Sequence, residues 1–194
     1  MDRLSALSLV VALAACESKS AEHAPAGRVN AAKVEARKAA SAEAFCDVFK
    51  PGETGPAFKV PALTGGELPA KAAGWRWINV WATWCKPCLE EMPRLAQWRD
   101  KLAAAGKPFE LSFVSVDETD EVLAAFRTAH PNTPASPRLA KPDEQGTWFA
   151  ALGLDGAPPI PIHIFVTPGG HVRCARAGGV REQDYAAIEA VFTP

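Results

Sequence analysis

The segment that most constrains the fold is a nearly continuous apolar run, WRWINVWA at residues 75–82, which leads into a Cys-Lys-Pro-Cys motif. A run of this length and composition is typical of a strand that is buried on both faces of a sheet. From Cys85 to about Ala104 the apolar residues recur at helical spacing, which predicts a helix. Cys85 and Cys88 therefore lie where a buried strand ends and a helix begins.

The rest of the chain alternates strand and helix patterns around this junction. In chain order, the sequence predicts an edge strand at residues 58–63, a buried strand at 109–117, a helix at 121–129, a proline-rich loop at 131–142, a short helix at 144–154, strands at 162–167 and 171–177, and a terminal helix at 181–192. The last two strands flank a Pro-Gly-Gly sequence, which is a hairpin signal. This order predicts an α/β fold with a mixed central β-sheet flanked by helices on both faces.

Length and composition limit the possible classes of protein. The 194 residues suffice for one domain with a hydrophobic core and an appended segment. Hydrophobic residues make up 48% of the chain and charged residues 22%, which is ordinary for a globular protein. The net charge of -1 leaves no electrostatic footprint for nucleic acid, so no nucleic-acid partner is expected.

Residues 1–15 are expected to be a signal peptide, because a single Arg precedes an apolar run that is too short to span a bilayer. The run ends in Leu-Ala-Ala-Cys at residues 13–16, which resembles a bacterial lipobox, so Cys16 is expected to be lipidated. A plain signal peptide cut after Ala15 and an uncleaved anchor are the alternatives. With or without lipidation, the chain is expected at the periplasmic side of a bacterial cell envelope, where disulfides can persist.

Residues 16–55 are expected to form a tether or N-terminal extension ahead of a domain at residues 56–194. The segment up to about Ala44 is rich in Ala, Glu and Lys and has little apolar periodicity. The sequence leaves open whether residues 31–44 within this segment form a helix.

Two motifs resemble those of a known family. NVWATWCKPCLEEMPRL, at residues 79–95, resembles the active-site segment of TlpA- and ResA-like members of the thioredoxin superfamily. IPIHIFVTPGGHV, at residues 160–172, resembles their second hallmark, a proline before a strand, a turn and another strand. With the element order, the resemblance covers roughly residues 56–194. It implies a thioredoxin-like fold and a thiol-disulfide oxidoreductase that needs no cofactor.

The position of the motif assigns a role to each cysteine. Cys85 is expected to be the attacking nucleophile, because the unpaired N–H groups and the dipole of a helix N-terminus favour a thiolate there. Lys86 adds a nearby cation, and Pro87 suits a first helical turn, where a missing N–H costs nothing. Cys88, one turn further on, is expected to be the resolving cysteine that attacks the mixed disulfide.

Three other roles for the motif fit the sequence less well, and no metal is expected. A zinc site would need two further ligands at paired spacing, whereas the other cysteines and the histidines are scattered. A c-type haem site would need His where this chain has Leu89. A permanent bridge across two residues would constrain the unfolded chain little.

The resemblance also implies a proton-transfer role for Glu91, which shares a helix face with Cys88. In the ResA-like pattern, a Glu at this position lies beside the active site and helps to move protons for the cysteines. Thioredoxin itself has a buried Asp on the preceding strand, where this chain has Asn79. The alternative is an ordinary solvated helix residue, which is how we interpret Glu90.

The substrate-binding surface is expected to comprise Trp84, Pro87, Ile160 and Pro161. The resemblance matches the Ile160–Pro161 bond to the family's cis-proline, whose neighbouring backbone would pair with a substrate peptide. Pro159 is the competing candidate for that position. Trp81 lies on the predicted strand and is expected in the core, whereas Trp84 precedes the nucleophile and is expected at the contact surface.

Cys46 and Cys174 remain after the motif and the lipobox are assigned. Leftover thiols tend to pair in an oxidising compartment, and some TlpA-like proteins tie an N-terminal extension to this strand with a structural disulfide. We therefore expect a structural disulfide between Cys46 and Cys174, with free buried thiols as the alternative.

The expected activity is reduction of disulfides in exported client proteins, such as apocytochrome c or copper-site proteins. The expected partners are such a client, a membrane dithiol electron donor and the membrane itself, through the lipid anchor; the chain is expected to be a monomer. One alternative is a copper-binding or copper-delivery protein that uses Cys85, Cys88 and His163 as ligands. Another is a DsbA-type oxidase, but the chain lacks room for that family's helical insertion.

Overall fold

The structure is a computed structural model, and it describes residues 41–68, 74–154 and 157–193. The predicted signal peptide at residues 1–15, the lipidation site Cys16 and most of the predicted tether lie outside the described residues. Within those residues, no helix is both long enough and apolar enough to cross a membrane.

The described residues form a seven-stranded sheet in the order β1-β7-β6-β3-β4-β5-β2. The strands are β1 (Val48–Phe49), β2 (Leu63–Thr64), β3 (Trp75–Trp81), β4 (Phe109–Ser115), β5 (Arg138–Leu139), β6 (Ile162–Val166) and β7 (Val172–Ala177). The central strand β3 pairs in parallel with β4 and antiparallel with β6, so the predicted mixed sheet is confirmed.

Helices cover both faces of this sheet, as predicted. They are α1 (Ala42–Phe45), α2 (Lys86–Ala104), α3 (Asp120–Ala129), α4 (Gln145–Ala151) and α5 (Tyr185–Val191). Single 3₁₀ turns at Pro142–Glu144 and Glu182–Asp184 precede α4 and α5. Both helices are shorter than the sequence predicts, since α4 already ends at Ala151 and the 3₁₀ turn replaces the first residues of α5.

Alternating side chains of β3 show which helices cover which face. Trp77 stacks on Trp98 of α2 with ring centroids 6.4 Å apart, and Trp81 meets Phe126 of α3 at 6.0 Å. α2 and α3 therefore pack on the same face. On the opposite face, the backbone just after α4 approaches Val48 of β1 so closely that a Cβ on Gly153 would lie 3.1 Å from that side chain.

Three predictions are corrected by the structure. Of the edge strand predicted at residues 58–63, only Leu63 lies in a strand, β2, which is at the edge of the sheet. The predicted loop at 131–142 contains β5. Strands of two residues are too short to show an alternating pattern in the sequence, so their register comes from their neighbours.

The third correction concerns the start of the folded domain, which lies before residue 56. Ala42 and Phe45 of α1 are buried, and β1 pairs with β7. A disulfide joins Cys46 to Cys174 of β7, with their Cα atoms 5.6 Å apart. The Cys46–Cys174 bridge agrees with the expectation from the sequence. The helix and the strand beside it were not predicted, because so short a segment has no periodicity of its own and is buried against distant residues such as Phe165 of β6.

Replacing both Cys46 and Cys174 with alanine is expected to lower the free energy of unfolding by about 5 kcal/mol, because the bridge spans a sequence separation of 128. Urea denaturation without reductant measures the loss. The matched control replaces Cys85 and Cys88 with alanine; their bridge spans a separation of 3, so it should lose only about 2 kcal/mol. Equal losses in the two double variants would contradict the prediction.

Candidate active site

The two motif cysteines lie at the start of α2 and are joined by a disulfide, with their Cα atoms 5.3 Å apart. β3 ends at Trp81, and Cys85 is the N-cap residue of α2. The sulfur of Cys85 accepts a hydrogen bond from the backbone N–H of Cys88 at 3.3 Å. Pro87 occupies the first turn, where its missing N–H leaves no helical hydrogen bond unmade. A thiolate at Cys85 would therefore meet the unpaired N–H groups of a helix N-terminus.

The surroundings of the disulfide differ in exposure. Cys85 retains 3% of its surface and Cys88 none, so Cys88 is the more deeply buried of the pair. Trp84, directly before them, is 70% exposed. Lys86 forms an ion pair with the exposed Glu90 at 3.6 Å, so its charge is shared with that carboxylate rather than directed at Cys85 alone.

The loop before β6 completes the surface beside Cys85. The Ile160–Pro161 peptide bond is cis, and it is the only such bond in residues 41–68, 74–154 and 157–193, which leaves Pro159 outside that position. The carbonyl oxygen of Ile160 lies 3.7 Å from the Cys85 sulfur. The Pro161 carbonyl accepts a hydrogen bond from the Gly178 N–H at 2.8 Å, which ties this loop to the end of β7. Trp84, Cys85, Ile160 and Pro161 thus come together from distant parts of the chain.

Glu91 is buried beneath the motif, with 1% of its surface exposed. Its Oε1 accepts a hydrogen bond from the Asn79 side-chain amide at 2.8 Å, and its Oε2 accepts one from the Val180 backbone N–H at 2.9 Å. The solvated alternative is therefore wrong for Glu91, whereas Glu90 is exposed as expected. The Glu91 carboxylate, which is carried by α2, thus reaches Asn79 of β3. Asn79 is the position that the resemblance matches to the buried Asp of thioredoxin itself.

His163, on β6, lies in the same buried cluster and is fully buried. Its Nδ1 accepts a hydrogen bond from the Trp77 indole N–H at 3.2 Å. Its Nε2 lies 3.4 Å from Glu91 Oε1, a close approach that lacks the angle of a hydrogen bond. The sequence indicated no role for this residue beyond the copper alternative, although His163 is the register partner of Asn79.

The copper alternative is not supported by this arrangement. The lone pair of His163 Nδ1 accepts a hydrogen bond from the Trp77 indole, and the other ring nitrogen of His163, Nε2, faces Glu91. In the described parts of the chain, no group of three or more His, Cys, Asp or Glu side chains is placed to hold a metal ion.

Asp117 is a site residue that the sequence analysis missed. Its carboxylate accepts hydrogen bonds from the Thr83 backbone N–H at 3.1 Å, the Thr83 hydroxyl at 2.7 Å and the Ser115 hydroxyl at 2.7 Å. Asp117 therefore anchors the loop that carries Trp84 and Cys85. The available signal was its position two residues after a parallel strand, since the carboxyl ends of β3 and β4 meet at one edge of the sheet.

The fold and the disulfide together define a class: thioredoxin-like α/β proteins with a Cys-x-x-Cys pair at the start of a helix. The sequence model of the AhpC/TSA family matches residues 51–175, and the chain belongs to that family.

Among curated proteins, the chain is similar to thiol-disulfide oxidoreductase ResA of Bacillus anthracis, with 34% identity over 123 residues. That match covers 62% of this chain and 66% of ResA. It is also similar to thioredoxin-like protein YneN of Bacillus subtilis, with 32% identity over 81 residues, covering 39% of this chain and 45% of YneN. The chain thus spans less than half of YneN and just under two thirds of ResA.

Solved structures share the fold. A thiol:disulfide interchange protein DsbE from Chlorobium tepidum superposes with a TM-score of 0.54 at 22% identity, covering 75% of this chain and 100% of that one. A thiol:disulfide interchange protein from Bacteroides sp. gives a TM-score of 0.51 at 21% identity, covering 73% and 89%. At these identities the likeness concerns the fold alone.

Replacing Asp117 with Asn is expected to lower the free energy of unfolding by about 1–3 kcal/mol, because an amide NH₂ would face groups that donate hydrogen bonds. Hydrogen exchange at the Thr83 amide should also become faster, since that N–H loses its acceptor. Denaturation and exchange by NMR measure the two effects. Asp100→Asn is the control, because its side chain is 71% exposed and pairs only with Arg99. Unchanged exchange at Thr83 in Asp117→Asn would contradict the assigned anchoring role.

Proposed function

We propose that this protein is a thiol-disulfide oxidoreductase that acts in the bacterial cell envelope and reduces disulfides of exported proteins. The observation that supports it most directly is the Cys85–Cys88 disulfide at the N-terminus of α2, with the Ile160 carbonyl 3.7 Å from the Cys85 sulfur.

In the first step, reduced Cys85 attacks one sulfur of the client disulfide as a thiolate. A new bond forms between Cys85 and that sulfur, the client disulfide breaks, and the second client sulfur leaves as a thiolate that takes up a proton. The N–H of Cys88, which points at the Cys85 sulfur at 3.3 Å, stabilises the attacking thiolate.

In the second step, Cys88 loses its proton and attacks the Cys85 sulfur of the mixed disulfide. The Cys85–Cys88 bond forms, the bond between Cys85 and the client sulfur breaks, and that sulfur leaves as a thiolate that takes up a proton. The client is then released with both of its sulfurs reduced. Cys88 is fully buried, so its proton needs an acceptor inside the protein, and Glu91 lies one turn further along the same helix face. In sum, two electrons pass from the Cys85–Cys88 dithiol to the client disulfide.

The client is expected to dock on the surface formed by Trp84, Pro87, Ile160 and Pro161. An exposed indole beside the nucleophile offers apolar contact area, and the Ile160 carbonyl offers a hydrogen-bond acceptor to an extended peptide. Apocytochrome c and copper-site proteins are suitable clients, because each presents a pair of cysteines that must be reduced. A membrane dithiol protein would return the two electrons, and a lipid on Cys16 would hold the chain at the membrane.

Replacing Cys88 with Ser is expected to stop the reaction after its first step, because the mixed disulfide then has no resolving thiol. The trapped client should appear on a non-reducing gel as a reductant-sensitive adduct and be identifiable by mass spectrometry. Cys85→Ser is the matched control and should form no adduct. Adducts of equal yield in both variants would overturn the assignment of Cys85 as the nucleophile.

Replacing Glu91 with Gln is expected to slow the second step by about 10²-fold or more, because the amide cannot accept the Cys88 proton. Stopped-flow measurement of disulfide formation after mixing with a model client follows this step directly. Glu90→Gln is the control, since Glu90 is 64% exposed and pairs only with Lys86. An unchanged rate and pH profile in Glu91→Gln would remove Glu91 from the mechanism.

A further inference from the structure

The imidazole of His163 is fully buried beside Glu91, and none of the proposed steps uses it. Two N–H donors face its Nδ1: the Trp77 indole N–H at 3.2 Å and the Asn79 side-chain amide at 3.4 Å. An indole nitrogen can only donate, so Nδ1 must offer a lone pair. The ring therefore carries its proton on Nε2, and it is the neutral tautomer with Nε2–H that fits this environment.

The Trp77 donor is held in its orientation by aromatic packing. The Trp77 ring is fully buried and packs against Phe165 at 4.6 Å and Phe109 at 5.6 Å. Its indole N–H is thus held toward His163 by the hydrophobic core. The packing of Trp77 therefore fixes the tautomer of His163 that carries its proton on Nε2.

The Nε2 atom of that tautomer faces the Glu91 carboxylate, 3.4 Å from Oε1. The same carboxylate accepts hydrogen bonds from Asn79 and from the Val180 backbone. His163 Nε2 is a third polar group beside it, close enough to donate after a small rotation of either side chain. A Cβ placed on Gly179 would lie 3.4 Å from Glu91 Oε2 and 3.9 Å from Pro87, so the held carboxylate is close to the motif.

We propose that His163 is a positioning residue for Glu91: its Nδ1 is aligned by Trp77 and Asn79, so its Nε2–H faces the carboxylate and keeps it in place to take the Cys88 proton. This inference rests on the proposed role of Glu91.

Two arginines belong to the elements around the carboxylate, and each donates to a backbone carbonyl. Arg94 of α2 donates to the Val180 carbonyl at 2.8 Å and pairs with Glu182 at 3.4 Å. Arg176 of β7, the register partner of His163, donates to the Phe45 carbonyl at 2.5 Å. Of the histidine, lysine and arginine side chains in the described residues, only His163 comes within 4 Å of the Glu91 carboxylate, at 3.4 Å.

The test compares His163→Gln with His163→Leu in the full chain. Gln can accept from Trp77 with its oxygen and donate to Glu91 with its amide, whereas Leu can do neither. In His163→Leu the second step is expected to slow by about tenfold, and the C=O stretch of the protonated Glu91 carboxyl to shift, because that group loses a polar neighbour. In His163→Gln both should stay at their wild-type values.

Infrared difference spectroscopy reads Glu91 directly, through the C=O stretch of its protonated carboxyl group, and Glu91→Gln identifies that band. An unshifted band in His163→Leu would overturn the proposal, as would a shift in His163→Gln as large as that in His163→Leu. If His163→Leu fails to fold, the Trp77→Phe/His163→Leu double variant removes the orphaned indole N–H and gives the same test. A wild-type chain that exchanges no disulfides would reject the proposed function, whereas the infrared band would still test the role of His163.

Discussion

The structure depends on the burial of β3 between two neighbouring strands and two layers of helices. Every residue of this strand from Arg76 to Trp81 is buried, and β4 and β6 pair along both of its edges. Close packing on all sides leaves the strand one position, and its end therefore sets where α2 starts. Because Cys85 is the N-cap of that helix, the same constraint that forms the core places the sulfur at the helix N-terminus. The burial of β3 thus both stabilises the fold and positions the Cys85 sulfur.

Beneath that sulfur, the core contains polar groups that would be costly if they were left unpaired. Asn79, Glu91 and His163 come from a strand, a helix and a second strand, and each contacts the other two. Burial raises the strength of such contacts and also the cost of disturbing them. The cluster is therefore suited to holding a carboxylate in one place, and a held carboxylate next to a buried thiol is what proton transfer requires.

Much of the fold followed from local patterns, and the errors have a common physical reason. The long elements β3, α2, β4 and α3 carry enough residues for their period to be visible, and their predicted ranges agree with the structure. The two-residue strands and the folded N-terminal extension contain too few residues for a period to be visible. In the site, the strand-to-helix junction indicated Cys85 and Cys88, and the family resemblance indicated Glu91. The sequence analysis missed Asp117 and considered His163 only as a copper ligand, because their partners lie 34 and 86 residues away in the chain.

The sequence by itself determined the strand-to-helix junction, the pair of cysteines on one helical turn and the carboxylate on the same helix face. These features depend only on spacing along the chain and on which side chains prefer to be buried. Only the tertiary structure decided that Ile160 lies against Cys85, that Asp117 anchors the Thr83 loop, and that Trp77 fixes the tautomer of His163. Each of those contacts joins separate strands or loops, and strand order and register are set by the packing of the whole sheet and not by any one segment.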